Sequence, residues 1–119
     1  MAQVELHGDA IVDWDTFHAE SRKAFGFPEN YTCTMDAWVD CLSYLRDEEG
    51  MSTIRLKAGE TLTIVVTDVD AMRMTVPEIL EEMSFCVGGI NERYEDYGEP
   101  PALKLELRGE GRGLSPEGP

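Results

Sequence analysis

Two aspartates, Asp36 and Asp40, lie four residues apart in the segment FPENYTCTMDAWVDCL, whose apolar residues have the spacing of a short amphipathic helix. Side chains at this spacing share one helix face, where two like charges cost about 0.2–0.5 kcal/mol of helix stability. Two interpretations are open. The carboxylates belong to a solvated polar face, which helix physics alone favours, or they stand at the centre of a surface that enters a cationic pocket.

Other residue types that support chemistry form no recognisable site in the sequence. His7 and His18 are the only histidines, and they lack the spacing of metal ligands. The segment Asp68-Val69-Asp70 could bind a divalent ion, but it follows a predicted strand directly and lacks a further ligand pattern, so a polar loop fits it better. No phosphate-binding glycine loop or nucleophile motif is found. We therefore expect a protein that is not an enzyme and that needs no cofactor or metal.

The chain is strongly acidic, with 119 residues and a formal net charge of -14. The charges of residues 108–119 cancel, so residues 1–107 carry all of the net charge. A surface of this kind repels nucleic acid and anionic membranes and attracts basic proteins, although acidity also favours solubility. We expect a basic protein partner, and neither nucleic acid nor a membrane.

The cysteines indicate a reducing compartment. Cys33, Cys41 and Cys86 leave an odd thiol and form no CxxC pair, which argues against a disulfide framework or a structural zinc site. No apolar run approaches the length of a membrane span, and the N-terminus lacks the basic and apolar regions of a signal peptide. We expect a cytoplasmic protein that is a monomer when free.

The first part of the chain predicts one strand and two helices. Apolar and polar residues alternate over residues 3–7, as in a short strand. Asp13 can cap a first helix, which ends at Gly26. Thr32 or Thr34 can cap a second helix, which continues to the segment DEEG.

Three further strands are predicted in the rest of the chain. Residues 53–57 alternate cleanly and, after a turn, residues 61–67 are apolar on both faces, which is typical of a hairpin whose second strand is central. Residues 102–108 supply the last strand. Strands separated by helices favour crossovers onto a mainly parallel sheet, to which the hairpin adds one strand.

A helical stretch precedes the last strand. Thr75 and Glu78 form a predicted capping box at its start, and Gly88-Gly89 is expected to split it into two helices.

Together these patterns predict a small α/β domain over residues 1–107. Residues 108–119 are rich in glycine and proline without an apolar period, and they predict a flexible tail.

The order of elements and the residues of the opening segment resemble the barstar family, which are intracellular inhibitors of a secreted bacterial ribonuclease. The likeness runs from VELHG through TFH and FPENY to MDAWVDCL, which is roughly the first third of the chain. It implies a three-layer α/β fold with a small parallel sheet, in which the predicted hairpin is an insertion.

The resemblance implies roles for both aspartates. In that family the loop and the following helix plug the ribonuclease active site. The second aspartate of the motif, which falls on Asp40, occupies the pocket for substrate phosphate, and the first, which falls on Asp36, pairs with neighbouring basic groups. The resemblance places six further residues at the partner surface: Asn30, Tyr31, Thr34, Trp38, Val39 and Ser43.

The chain departs from the family motif at several positions. Asn30 replaces the family's first loop tyrosine. The helix tryptophan comes one position early, as Trp38, and Val39 stands in the family's tryptophan position. Because one residue turns a side chain by about 100° around a helix, Trp38 lies either in the core or at the interface. The family's supporting acid on a later helix has no aligned counterpart, and Glu92 and Glu95 are candidates.

The sequence thus predicts a barstar-like inhibitor, or immunity protein, that blocks a basic ribonuclease or nuclease toxin by stoichiometric occlusion. An interaction module of the same fold with a partner that is not a nuclease is the alternative. A metal-dependent phosphoryl-transfer enzyme that uses Asp68 and Asp70 is a distant third.

Overall fold

The computed structural model describes residues 2–46 and 54–109. Within these ranges, three strands form one parallel sheet, in which β2 lies between β1 and β3. The strands are β1 (Ala2–His7), β2 (Leu62–Thr67) and β3 (Leu103–Leu107). In the register of the sheet, Ile64 of β2 lies opposite Val4 of β1 and Leu105 of β3.

Helices make the crossovers that parallel strands require. Among the described residues, two helices lie between β1 and β2, and two lie between β2 and β3. They are α1 (Trp14–Phe25), α2 (Met35–Leu42), α3 (Val69–Thr75) and α4 (Pro77–Asp96), and a short 3-10 turn at Gly8–Ala10 precedes α1. The prediction of a small α/β domain with a barstar-like arrangement is confirmed. No helix in the described ranges combines the length and the apolar character needed to cross a membrane.

The central strand has both faces buried. Ile64 and Val66 point to one face and Val65 points to the other, and all three are fully buried. This confirms that the apolar run of residues 61–67 predicts a central strand.

Both ends of α1 follow the sequence signals. The Asp13 carboxylate accepts a hydrogen bond from the backbone N–H of Thr16 at 2.9 Å, and the Thr16 hydroxyl accepts one from the N–H of Asp13 at 3.0 Å. Gly26 ends the helix in the left-handed conformation with φ of 66°, which glycine adopts without strain.

The hairpin prediction is wrong for the residues that the structure describes. Residues 54–57 form no strand, and the N–H of Leu56 donates to the carbonyl of Leu45 at 2.8 Å instead. Because β1 and β3 occupy both edges of β2, no edge remains for a hairpin partner. Residue 53 and the DEEG segment lie outside the described residues.

The predicted break in the long helix is also misplaced. The helix α4 runs through Gly88 and Gly89 without interruption, because Val87 and Ile90 on either side are buried and their packing outweighs the roughly 1 kcal/mol that each glycine costs. The break lies at Val76, between α3 and α4, and no side chain caps α4 there. The predicted capping box is therefore absent.

Arg108, the first residue of the predicted tail, is hydrogen-bonded to the sheet. The N–H of Arg108 donates to the carbonyl of Val66 at 2.8 Å, and its carbonyl accepts from the N–H of Val69 at 2.9 Å. Arg108 therefore belongs to the edge of the sheet, and residues 110–119 lie outside the described residues.

Candidate functional site

A groove of about 500 Å³ lies between α2 and α4, and both aspartates of the opening motif line it. We call it the acidic groove. Its lining residues are Met35, Asp36, Val39 and Asp40 from α2, and Glu82, Phe85, Cys86, Gly89, Ile90 and Arg93 from α4.

The start of α2 is fixed by a threonine. Of the two predicted caps, Thr34 is the one used, and its hydroxyl accepts a hydrogen bond from the N–H of Ala37 at 3.1 Å. The helix ends at Leu42 rather than continuing to the DEEG segment. Asp36 therefore stands in the first turn, where the helix dipole favours a carboxylate, and Asp40 follows one turn later.

Trp38 sets the rotation of α2. Its side chain is 0% exposed, and its indole Nε1 donates a hydrogen bond to the buried hydroxyl of Ser21 at 3.1 Å. Because Trp38 points into the core, Asp36 and Asp40, two residues before and after it, point away from the core and are exposed. The placement of Trp38 at the partner surface is therefore wrong. The one-residue shift of the tryptophan moved it into the core.

The α4 acid that lines the groove is Glu82, which the sequence analysis missed. Glu92 and Glu95, the candidates taken from the sequence, do not line it. The face of α4 that meets α2 follows helical spacing through residues 82, 85, 86, 89 and 93, and this spacing is the signal that could have identified Glu82.

Charges from both helices act on one thiol in this groove. The Cys86 thiol donates a weak hydrogen bond to Oε2 of Glu82 at 3.7 Å. The pKa of Cys86 is raised to about 11, first by burial and then by the carboxylates of Glu82 and Asp36. Asp36 and Glu82 therefore share one local electrostatic environment. Within the described residues, neither Asp36 nor Asp40 forms an ion pair.

The loop before α2 is held from inside. The hydroxyl of Tyr31 lies 2.6 Å from Nδ1 of His18, and both side chains are buried. The Tyr31 ring also packs against Phe27 with a centroid separation of 4.7 Å. Tyr31 therefore shapes the loop and offers little of its ring to a partner, whereas Asn30 and Thr34 are exposed.

Ser43 connects the end of α2 to α4. Its hydroxyl donates to the carbonyl of Val39 at 2.6 Å and accepts from Nη1 of Arg93 at 3.0 Å.

Of the eight residues that the resemblance placed at the partner surface, three line the acidic groove, namely Asp36, Val39 and Asp40. Ser43 lines a second groove, which shares Arg93 with the acidic groove.

The two aspartates considered for a divalent ion have different surroundings. Asp70 pairs with Nη1 of Arg73 at 3.0 Å, and Asp68 is the residue that precedes α3, with φ of 50°. Across residues 2–46 and 54–109, no three potential metal ligands gather. All three cysteines are free thiols.

Comparison with protein families gives one finding that covers most of the chain. The model of the family described as "Barstar (barnase inhibitor)" matches residues 1–106. Comparison with curated proteins gives no match.

Proposed function

The chain belongs to the barstar family, whose general role is ribonuclease inhibition, and we propose that it blocks the active site of a basic ribonuclease with the carboxylates of the acidic groove. One observation carries this proposal. Asp36 and Asp40 of α2 and Glu82 of α4 line a single exposed groove.

The chemistry of this groove suits substrate mimicry. A ribonuclease binds the phosphates of RNA with cationic side chains, and a carboxylate offers the same cations a negative charge and hydrogen-bond acceptors. Asp40 occupies the phosphate pocket in this proposal, and Asp36 and Glu82 pair with basic groups around it. The net charge of -14 adds long-range attraction that speeds the encounter with a basic enzyme.

Two further features favour tight binding. The buried Trp38 and the Thr34 cap hold α2 in place before the partner arrives, so little conformational entropy is lost on association. Phe85 lines the same groove with 77% of its surface exposed, and an exposed aromatic side chain beside charged groups is typical of protein interfaces.

The proposed compartment is the cytoplasm. Three free thiols suit a reducing environment, and an inhibitor of a secreted or injected nuclease protects the cell in which that nuclease is made or received.

A second candidate is an interaction module of the same fold whose basic partner is not a nuclease. One observation favours it: burial of Trp38 and Tyr31 removes two aromatic side chains from the surface that contacts the ribonuclease in this family.

Capture of the partner tests the proposal and separates the two candidates. The immobilised chain is exposed to lysate of its native host, and the captured protein is assayed for ribonuclease activity. We expect a basic ribonuclease that the chain inhibits at one-to-one stoichiometry, with an association rate that falls steeply as salt is raised. A captured basic protein without nuclease activity would overturn the first candidate in favour of the second.

The control compares two variants of the immobilised chain, each of which lacks one negative charge. Asp40→Asn removes one negative charge from the acidic groove, and Asp9→Asn removes one from the exposed 3-10 turn, which does not line the groove. We expect only Asp40→Asn to lose the partner. Equal loss with both baits would mean that overall charge, and not the groove, is responsible.

A further inference from the structure

A second groove of about 570 Å³ adjoins the acidic groove, and Arg93 lines both. We call it the tyrosine groove, because Tyr44, Tyr94 and Tyr97 line it together with Ser43, Arg93 and two acids. Tyr97 is 84% exposed and Tyr44 is 45% exposed, so two phenol rings are available to a partner. Neither ring has a role in the proposed mechanism.

Contacts of Tyr94 hold one side of the tyrosine groove in place. The hydroxyl of the buried Tyr94 accepts a hydrogen bond from the N–H of Leu45 at 3.1 Å, which ties the segment after α2 to α4. Arg46 lies over the Tyr94 ring, with its guanidinium carbon 4.9 Å from the ring centroid.

The two acids of the tyrosine groove differ in their availability. Glu99 accepts a hydrogen bond from Nη1 of Arg46 at 2.8 Å, so its charge is already matched. Asp96 forms no ion pair with any residue that the structure describes, and it is exposed. A cation that enters this groove therefore meets a free carboxylate beside two exposed aromatic rings.

Arg93 lies at the border between the acidic groove and the tyrosine groove. Its Nη1 is held by the Ser43 hydroxyl at 3.0 Å, and it is the single basic residue that lines either groove in the described part of the chain. A cation of the partner is repelled at this border, so the partner's basic groups must fall on either side of it.

We propose that the tyrosine groove binds an arginine side chain of the same basic partner, beside the rings of Tyr44 and Tyr97 and the carboxylate of Asp96. Arginine fits better than lysine, because its planar guanidinium stacks on aromatic rings and pairs with a carboxylate through two hydrogen bonds. Only the identity of the partner rests on the proposed function. The preference for arginine is a property of this chain alone.

The test uses a small probe that needs no identified partner. The full chain is titrated with N-acetyl-arginine amide while the NMR signals of its backbone and tyrosine rings are followed. N-acetyl-citrulline amide, which has nearly the same shape without the charge, is the control ligand. We expect saturable shifts at Tyr44, Asp96 and Tyr97 with the arginine probe and none with citrulline. No saturable shift there, or equal shifts with both ligands, would overturn the proposal.

Variants locate the probe. Tyr97→Ala should weaken its binding roughly two- to five-fold, which is the contribution of one cation–π contact at an exposed site. Met74→Ala removes a side chain of similar exposure, 86%, from α3 and should leave the affinity unchanged. Equal weakening in both variants would contradict a specific site.

A variant of the acidic groove separates this inference from the proposed function. Asp40→Asn should lose the captured ribonuclease and still bind the arginine probe at Tyr44 and Tyr97. If the chain binds the probe there but inhibits no ribonuclease, the proposed function fails and this inference stands. If it inhibits a ribonuclease but shows no arginine-dependent shift, this inference fails alone.

Discussion

The indole Nε1 of Trp38 donates a hydrogen bond to the hydroxyl of Ser21 at 3.1 Å, and both residues are 0% exposed. This contact joins α2 to α1 across the core, and the Trp38 ring also packs against Phe17 and Phe25. It fixes the rotation of α2 and therefore the direction in which Asp36 and Asp40 point. The geometry of the acidic groove therefore depends on a contact that is buried in the core.

We predict that Ser21→Ala lowers the free energy of unfolding by about 1–3 kcal/mol, because it leaves the buried indole N–H of Trp38 without an acceptor. Urea unfolding measures this loss. Ser84→Ala, at an exposed position on α4, is the control and should be neutral. If Ser21→Ala is equally neutral, the hydrogen bond does not hold the two helices together.

Local signals predicted both ends of α1 and the start of α2, the helix that carries the two aspartates. Asp13, Gly26 and Thr34 act through contacts within a few residues of themselves, so their roles could be read from the sequence. The absence of the hairpin could not, because it depends on β1 and β3 occupying both edges of β2.

The same limit explains the errors on the helices. The continuity of α4 through Gly88-Gly89 depends on tertiary packing of its neighbours, which no local signal reports. Glu82 was missed because helical spacing groups it with residues 86, 89 and 93 on one face of α4 but does not show that this face meets α2. The burial of Trp38 was left open for the same reason.

The end of the last strand gives a second prediction. Deletion of residues 110–119 should leave the melting temperature unchanged, because their composition cannot form a packed core. Deletion of residues 108–119 should lower the free energy of unfolding by about 1–3 kcal/mol, because Arg108 makes two backbone hydrogen bonds to the sheet and each contributes roughly 0.5–1.5 kcal/mol. Thermal unfolding of both truncations measures the difference. Equal melting temperatures would show that the contacts of Arg108 contribute nothing.

We predict that His18 makes the free energy of unfolding depend on pH. Burial lowers the pKa of His18 from its ordinary value of 6.5, and the opposing effect of Asp15 is smaller. The unfolded chain therefore binds a proton more readily than the folded protein. As pH falls through 6.5, stability should be lost progressively until the folded-state pKa is passed.

Urea unfolding at several pH values above and below 6.5 measures the effect of His18. His18→Gln should flatten the dependence on pH in this range, and His7→Gln, at an exposed histidine on β1, should leave it in place. A slope that survives in His18→Gln would assign the effect to another group.

The pKa values of Cys86 and Cys41 show which carboxylates of the acidic groove lie near each thiol. Glu82 and Asp36 both raise the pKa of Cys86, whereas Asp40 raises that of Cys41, in each case after burial. Glu82→Gln and, to a smaller extent, Asp36→Asn should lower the pKa of Cys86 and speed its alkylation by iodoacetamide at mildly alkaline pH. Asp40→Asn should act on Cys41 instead.

Mass spectrometry of the modified peptides measures each thiol separately. Asp9→Asn serves as the control for a general change in charge and should alter neither rate. If Asp36→Asn leaves Cys86 unchanged, α2 and α4 do not face each other as described.

The sharpest prediction concerns Asp40. In the proposed complex the Asp40 carboxylate is paired with cations of the ribonuclease, so Asp40→Ala would leave those cations buried and unpaired. The expected loss of binding free energy is about 2–5 kcal/mol, a magnitude informed by charge pairs of the barnase–barstar complex itself, and it corresponds to a loss of roughly thirty-fold to several thousand-fold in affinity. Calorimetric titration of the captured ribonuclease measures it.

The free protein provides the decisive comparison. Asp40 is exposed and forms no ion pair within the described residues, so Asp40→Ala should not reduce the melting temperature and should relieve the small repulsion from Asp36. Asp36→Ala should cost less affinity, because in the proposed complex Asp36 pairs with groups around the phosphate pocket rather than inside it. If Asp40→Ala instead unfolds at a lower temperature and binds the ribonuclease normally, the carboxylate is a structural group. The acidic groove is then not the surface that blocks the enzyme.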